Sequence, residues 1–153
     1  MTRTSEPRPL LLDTHVWLWF MLADAELAIG EQNVINSAAA SGQLRIAAIS
    51  VWEAALLASR GRVVLSQPLP QWMMEAVSAP GLSIEPLSPQ VAVEACLLPR
   101  AFHRDPADRL IVATARVASA TLMTRDRRIL DYAARGHRRR WQPEFSAHAC
   151  SPV

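Results

Sequence analysis

The sequence predicts an α/β fold: a three-layer α/β/α sandwich around a central parallel sheet of four or five strands. Three observations carry that expectation. Short, wholly apolar runs alternate with longer stretches of helical character, the pattern of strands buried on both faces and joined by helical crossovers. Half of the 153 residues are hydrophobic and only 20% are charged, which suits one domain with a full core. No uncharged apolar stretch reaches the roughly 18 residues that a membrane helix needs.

The elements follow in order. Leu10-Leu11-Leu12 is a buried strand that ends at Asp13. An aromatic-rich segment over 16–22 makes a short helix, and a second helix over 31–40 closes at Gly42. The second strand covers 45–49. Ser50 and Glu53 then have the spacing of a capping box for a helix over 51–60, with Gly61 just beyond it. Pro68 and Pro70 frame a loop, and a helix over 71–78 stops at Pro80-Gly81. Alternation over 82–87 predicts a strand. Ser88-Pro89 opens a helix, and residues 99–103 connect it to the next. Asp105 followed by Pro106 is a strong start signal for a long helix over 107–119. Residues 121–124 form a last strand, and Asp126 caps a helix to about residue 134. The domain thus spans 9–134, between a flexible arm over 1–8 and a basic, flexible tail over 135–153.

Composition excludes some chemistry. All 16 basic residues are arginine, so Schiff-base catalysis and a P-loop lysine are absent. The net charge of +2 permits a nucleic-acid partner without requiring one. Two cysteines, Cys96 and Cys150, make neither a disulfide framework nor a zinc site; Cys96 reads as a small core residue and the setting as reducing cytoplasm. Arg3 and Arg8 before the apolar stretch, with Ala23-Asp24-Ala25 after it, imitate a secretory signal, but Asp13 and His15 interrupt its centre.

Ligand sites on parallel sheets lie at the carboxyl ends of the strands. There the chain places Asp13, Glu53, Asp108 and Asp126, four carboxylates from four separate segments. Crowded carboxylates repel one another and raise each other's pKa, and a divalent cation relieves this. Oxygen ligands favour magnesium or manganese over zinc or copper. Singly, each acid also has a structural explanation: Asp13 and Asp126 as helix caps, Glu53 as half of a capping box, Asp108 as a partner of the helix dipole. Asp105 reads most simply as an N-cap. His15 and His103 lie near the strand ends and suit structural hydrogen bonds. Trp17, Trp19, Phe20 and Trp52 form a stripe for packing, and the first three are candidates for a partner groove. Arg138-Arg139-Arg140 is either a phosphate-binding patch or a solvated charge run.

Four segments together resemble the PIN-domain family, and within it the VapC-like toxins of bacterial toxin–antitoxin pairs: Leu11-Leu12-Asp13-Thr14-His15, Ile49-Ser50-Val51-Trp52-Glu53, His103 to Ala113 with Asp105-Pro106-Ala107-Asp108 inside it, and Leu122-Met123-Thr124-Arg125-Asp126. The resemblance covers roughly residues 9–134. It implies a magnesium- or manganese-dependent endoribonuclease, the toxin of a toxin–antitoxin pair, with RNA as substrate, a cognate antitoxin as partner and a homodimeric, cytoplasmic state. It also implies that Asp13, Glu53, Asp108 and Asp126 hold the metal, that Thr14 and Thr124 support the site, and that Asp105 is an additional acid. Three positions depart from the family: Leu57 replaces a frequent basic residue, Ala107 replaces an aromatic, and the arginine-rich tail stands where a final short strand is common. The sequence offers no enzyme nucleophile, so a covalent intermediate is not expected. The alternatives are a metal-dependent phosphatase or DNA-directed nuclease on the same acids, or a non-catalytic module binding RNA or protein.

Overall fold

The computed structural model describes residues 8–99, 102 and 104–135. Its elements are β1 (Leu10–Leu12), α1 (Thr14–Met21), α2 (Ile29–Ala40), β2 (Leu44–Ala47), α3 (Ala48–Ser59), α4 (Leu69–Val77), β3 (Leu82–Glu85), α5 (Pro89–Leu97), α6 (Pro106–Val117), β4 (Thr121–Met123) and α7 (Arg127–Ala134). The described strands form one four-stranded parallel sheet in the order β3-β2-β1-β4.

The three leucines of β1 are buried because the strand is central and both faces are covered. Side chains alternate along a strand, so Leu10 and Leu12 face one layer while Leu11 faces the other. The first layer gathers Val16, Trp17 and Leu18 of α1, Ile35 of α2, and Trp72 and Ala76 of α4 around Leu44, Ile46 and Met123. The second gathers Ile111, Val112 and Ala115 of α6, Ile129 of α7 and Phe102 around Leu11, Ala47 and Leu122. β3 is the polar edge: Ser83 and Ile84 are exposed, and Glu85 pairs with Arg45 of β2 at 3.2 Å.

Several boundaries differ from expectation. Helix α3 begins at Ala48 with Ala47 as its N-cap, so Ser50 lies inside the first turn and is no cap. Ser50 and Glu53 are therefore not a capping box; their side chains are used elsewhere. Cys96 is exposed on α5 rather than in the core, because the inward positions of that helix are taken by Val91 and Ala95. Trp52 is 57% exposed and does not join the packing stripe. Trp17 is fully buried, its ring 6.2 Å from that of Trp72, which removes it from any partner groove. His103, His137, His148, Cys150, Arg138 to Arg140 and most of both proposed tails lie outside the described residues.

Gly81 precedes β3 with φ +78, in the left-handed region. A Cβ there would stand 1.9 Å from the backbone oxygen of Ala39 on α2. Both the dihedral and the close approach require glycine. Gly81→Ala is expected to cost about 2 kcal/mol or more. A thermal melt of the variant should show a loss of several degrees; an unchanged midpoint would show that α2 and the turn can separate freely.

Candidate active site

The strand order reverses direction at β1: one connection leads outward to β2, while β4 returns on its other side. Crevices at such reversals, beyond the carboxyl ends of the strands, are the usual ligand sites of parallel sheets. Asp13 leaves β1 at this point. Its backbone is extended, and its side chain caps α1, with Oδ1 accepting the Thr14 N–H at 2.7 Å. Oδ2 accepts the Thr124 hydroxyl from the end of β4 at 2.6 Å. Asp13 is only 5% exposed, and this burial pushes its pKa up despite both hydrogen bonds. The nearby Asp126 charge raises it further, and the His15 charge lowers it.

Thr14 connects this acid to the next segment. Its hydroxyl lies 2.7 Å from Glu53 Oε1 and 2.9 Å from Ser50 Oγ. A hydroxyl has one proton to donate. Given to the Glu53 carboxylate, it leaves Thr14 to accept from Ser50, which is fully buried. Ser50 thus orients Thr14, and Thr14 orients Glu53. Sequence pattern alone assigns Ser50 no such role, since its S-x-x-E spacing points to a cap. Glu53 is half-buried, and its pKa is pushed up first by that burial, then by the charges of Asp13 and Asp105; the Thr14 hydrogen bond opposes the shift.

Thr124 repeats the device on the other side. It donates to Asp13 and accepts the Asp126 N–H at 3.0 Å. Asp126 caps α7 through Oδ1, which accepts the Arg128 N–H at 2.7 Å. Asp105 caps α6: its Oδ1 accepts from Ala107 N–H at 2.8 Å and from Asp108 N–H at 3.3 Å. It also stands near enough to Glu53 for its charge to act there. Asp108 lies in the first turn of α6, half-buried.

The structure therefore brings Asp13 into electrostatic reach of Asp126, and Glu53 into reach of Asp13 and Asp105, and places Asp108 in the first turn of α6 beyond the Asp105 cap. Among the described residues, no three His, Cys, Asp or Glu side chains are gathered into a formed metal cage. The donor set itself, hard carboxylate oxygens around a buried and reluctantly ionised Asp13, fits a hard divalent cation.

Comparison with known proteins gives the family of the fold. The PIN domain family model matches residues 10–135. The chain belongs to the PIN-domain family. Among curated PIN-domain relatives, Ribonuclease VapC22 of Mycobacterium tuberculosis (strain ATCC 25618 / H37Rv) is 38% identical over 120 residues, covering 78% of this chain and 88% of the relative. That likeness places this PIN domain among the VapC-like toxins. Its fold is also that of a chain in a toxin–antitoxin complex from Klebsiella pneumoniae (TM-score 0.56, 20% identity, 76% of this chain and 86% of that one). A chain of VapBC2 from Rickettsia felis, bound to a DNA fragment from its promoter, matches similarly (TM-score 0.57, 18% identity, 76% and 87%).

The two acids of α6 should separate on substitution. Asp105→Ala removes a cap and is expected to cost about 1 kcal/mol of stability. Asp108→Ala, which leaves that cap in place, should lower activity per folded molecule more than Asp105→Ala does. Parallel melts and turnover measurements decide this; the reverse order would make Asp105 the functional acid of the pair.

Proposed function

We propose that this PIN domain is a magnesium- or manganese-dependent endoribonuclease and the toxin of a toxin–antitoxin pair. The observation that carries the proposal is the buried Asp13 at the sheet reversal, held by Thr124 on one side and coupled electrostatically to Glu53 and Asp126. A carboxyl group buried in such a place is costly to ionise, and a bound cation would offset that cost. Family membership supplies the chemistry.

Asp13, Glu53, Asp108 and Asp126 would hold the cation, with Asp105 as a further oxygen donor. When bound, such an ion neutralises phosphate charge and lowers the pKa of water. The chain's own residues position these groups. Thr124 fixes the rotamer of Asp13, Thr14 that of Glu53, and both spare the acids the entropy of arranging themselves around substrate. The acid set contains no lysine and no serine–histidine pair poised for nucleophilic attack, so water is the attacking group in this scheme.

An antitoxin partner, a homodimeric state and a cytoplasmic setting belong to the same proposal. The toxin–antitoxin assemblies in which two fold relatives occur favour the antitoxin partner; the homodimeric state and the cytoplasmic setting are carried over from the family resemblance alone. Among the described residues, no helix is long and apolar enough to cross a membrane. The test is to incubate the purified chain with single-stranded RNA, single-stranded DNA or p-nitrophenyl phosphate, with Mg2+, Mn2+ or EDTA. RNA cleavage that requires the cation, and is blocked by the protein encoded beside this gene, is the expected result. Cation-dependent activity on DNA or the phosphate ester alone would replace the proposal with another hydrolase. Inertness on all three would favour a binding module.

A further inference from the structure

Glu31 and Arg125 have no place in the four-acid scheme, yet they are built into the same corner. Arg125 lies between Thr124, which donates to Asp13, and Asp126, whose N–H bonds back to Thr124. Its guanidinium reaches α2: Nε donates to Glu31 Oε1 at 3.2 Å, and Nη2 donates to Glu31 Oε2. Glu31 is 5% exposed, and its Oε2 also accepts the Ala28 N–H at 2.8 Å, so the carboxylate is fixed from the helix side as well. The guanidinium carbon lies 5.4 Å from the centroid of the Trp19 ring on α1, and Glu26 stands at 3.9 Å. Arg125 is thus held along one edge and over one face.

A two-point arginine–carboxylate fork fixes orientation as well as distance. A pair with one buried partner is a poor source of net stability, because desolvation of Glu31 offsets much of the attraction. What it does supply is a fixed geometry for the turn between β4 and α7. Resting on the nuclease proposal above, we propose that Glu31 and Arg125 are positioning residues that hold this turn so that Thr124 meets Asp13 and Asp126 faces the crevice, and that they set turnover rather than RNA binding.

Glu31→Gln keeps the shape and an acceptor for Ala28 but removes the charge. The full chain is assayed with Mn2+ and a fluorophore-quenched single-stranded RNA of mixed sequence, at a temperature where circular dichroism shows every variant folded. The expected result is a fall in kcat of at least about ten-fold with KM within about two-fold, the scale of outer partners of metal ligands. Arg125→Lys retains more kcat than Arg125→Gln. The double variant Glu31→Gln/Arg125→Gln is no slower than the worse single variant, since both cut one link. Amide hydrogen exchange tests the same link without RNA: in Glu31→Gln the Asp126 amide loses protection while the β1 amides keep theirs. A wild-type chain that cleaves no RNA defeats the nuclease proposal and leaves exchange to decide the positioning role. Unchanged Asp126 protection, a kcat loss matched by a rise in KM, or loss of β1 protection to the same degree overturns the positioning role.

Discussion

Asp13→Asn is expected to abolish cation-dependent RNA cleavage, by more than about a hundred-fold, which exceeds the effect typical of outer partners of a metal site. The fold should survive. In the native protein both carboxylate oxygens accept hydrogen bonds, from Thr14 N–H and from the Thr124 hydroxyl. Asparagine can keep its oxygen on Thr14 N–H and donate its amide to Thr124 Oγ1, whose two lone pairs can serve both that amide and Asp126 N–H. The charge is lost, and the buried Thr124 hydroxyl proton loses its acceptor on residue 13. Burial raises the pKa values of Asp13 and Glu53 above their ordinary 3.8 and 4.5. Above those ordinary values the folded chain therefore binds more protons than the unfolded chain. Stability contributed by these two groups is full below that range and declines as pH rises through the raised values. Denaturant midpoints measured without divalent cations between pH 3 and 8 should show this decline in the wild type and a shallower one in Asp13→Asn. Full cation-dependent cleavage by the folded variant would remove Asp13 from the site.

Thr14→Val should have the second large effect. Valine fills the same volume but deprives Glu53 of its donor and leaves the Ser50 hydroxyl, buried, without that partner. An activity loss of about 10–100-fold is expected, on the scale of outer partners of metal ligands. The Glu53 pKa should rise further, because the lost bond is what opposes its upward shift. Ser50→Ala should be milder, since Thr14 then keeps its bond to Glu53. Thr14→Ser should recover most of the activity. Turnover of the three variants on one RNA checks the order, and equal activity of Thr14→Val and wild type would leave Glu53 without need of orientation.

The positions of the acids are legible in the sequence because Asp13 and Asp126 stand just after short apolar strand runs, while Glu53 and Asp108 lie within a turn of recognisable helix starts. Asp13 after three leucines reads as the carboxylate at a strand end, and there it also caps α1. The parallel sheet and its two-sided core follow from the same runs, whereas the strand order does not. What misled was local pattern overridden by tertiary pairing. Ser50 and Glu53 have capping-box spacing, but the helix starts two residues earlier than Ser50, and Thr14, 36 positions from Ser50, takes both side chains. Trp17 and Trp52 have the same chemistry and opposite fates, because only the helix register decides which one meets Trp72. The link between Glu31 and Arg125 spans 94 positions and has no periodic signature at all.

The bond between Thr124 and Asp13 joins residues 111 positions apart, and β1 pairs with β4 along its whole length. Non-local pairings of this kind form late, after the intervening chain has been ordered. A nascent chain threading from the ribosome displays Asp13, Glu53 and even Asp108 long before Asp126 emerges. Until β4 docks beside β1, Asp13 lacks its hydroxyl donor and the crevice lacks one wall. On the nuclease proposal, the corner is thus complete only once β4 has emerged and docked beside β1, so any action on RNA waits for that pairing. Pulse-labelled, stalled chains ending before and after residue 126 would show where in elongation that corner closes.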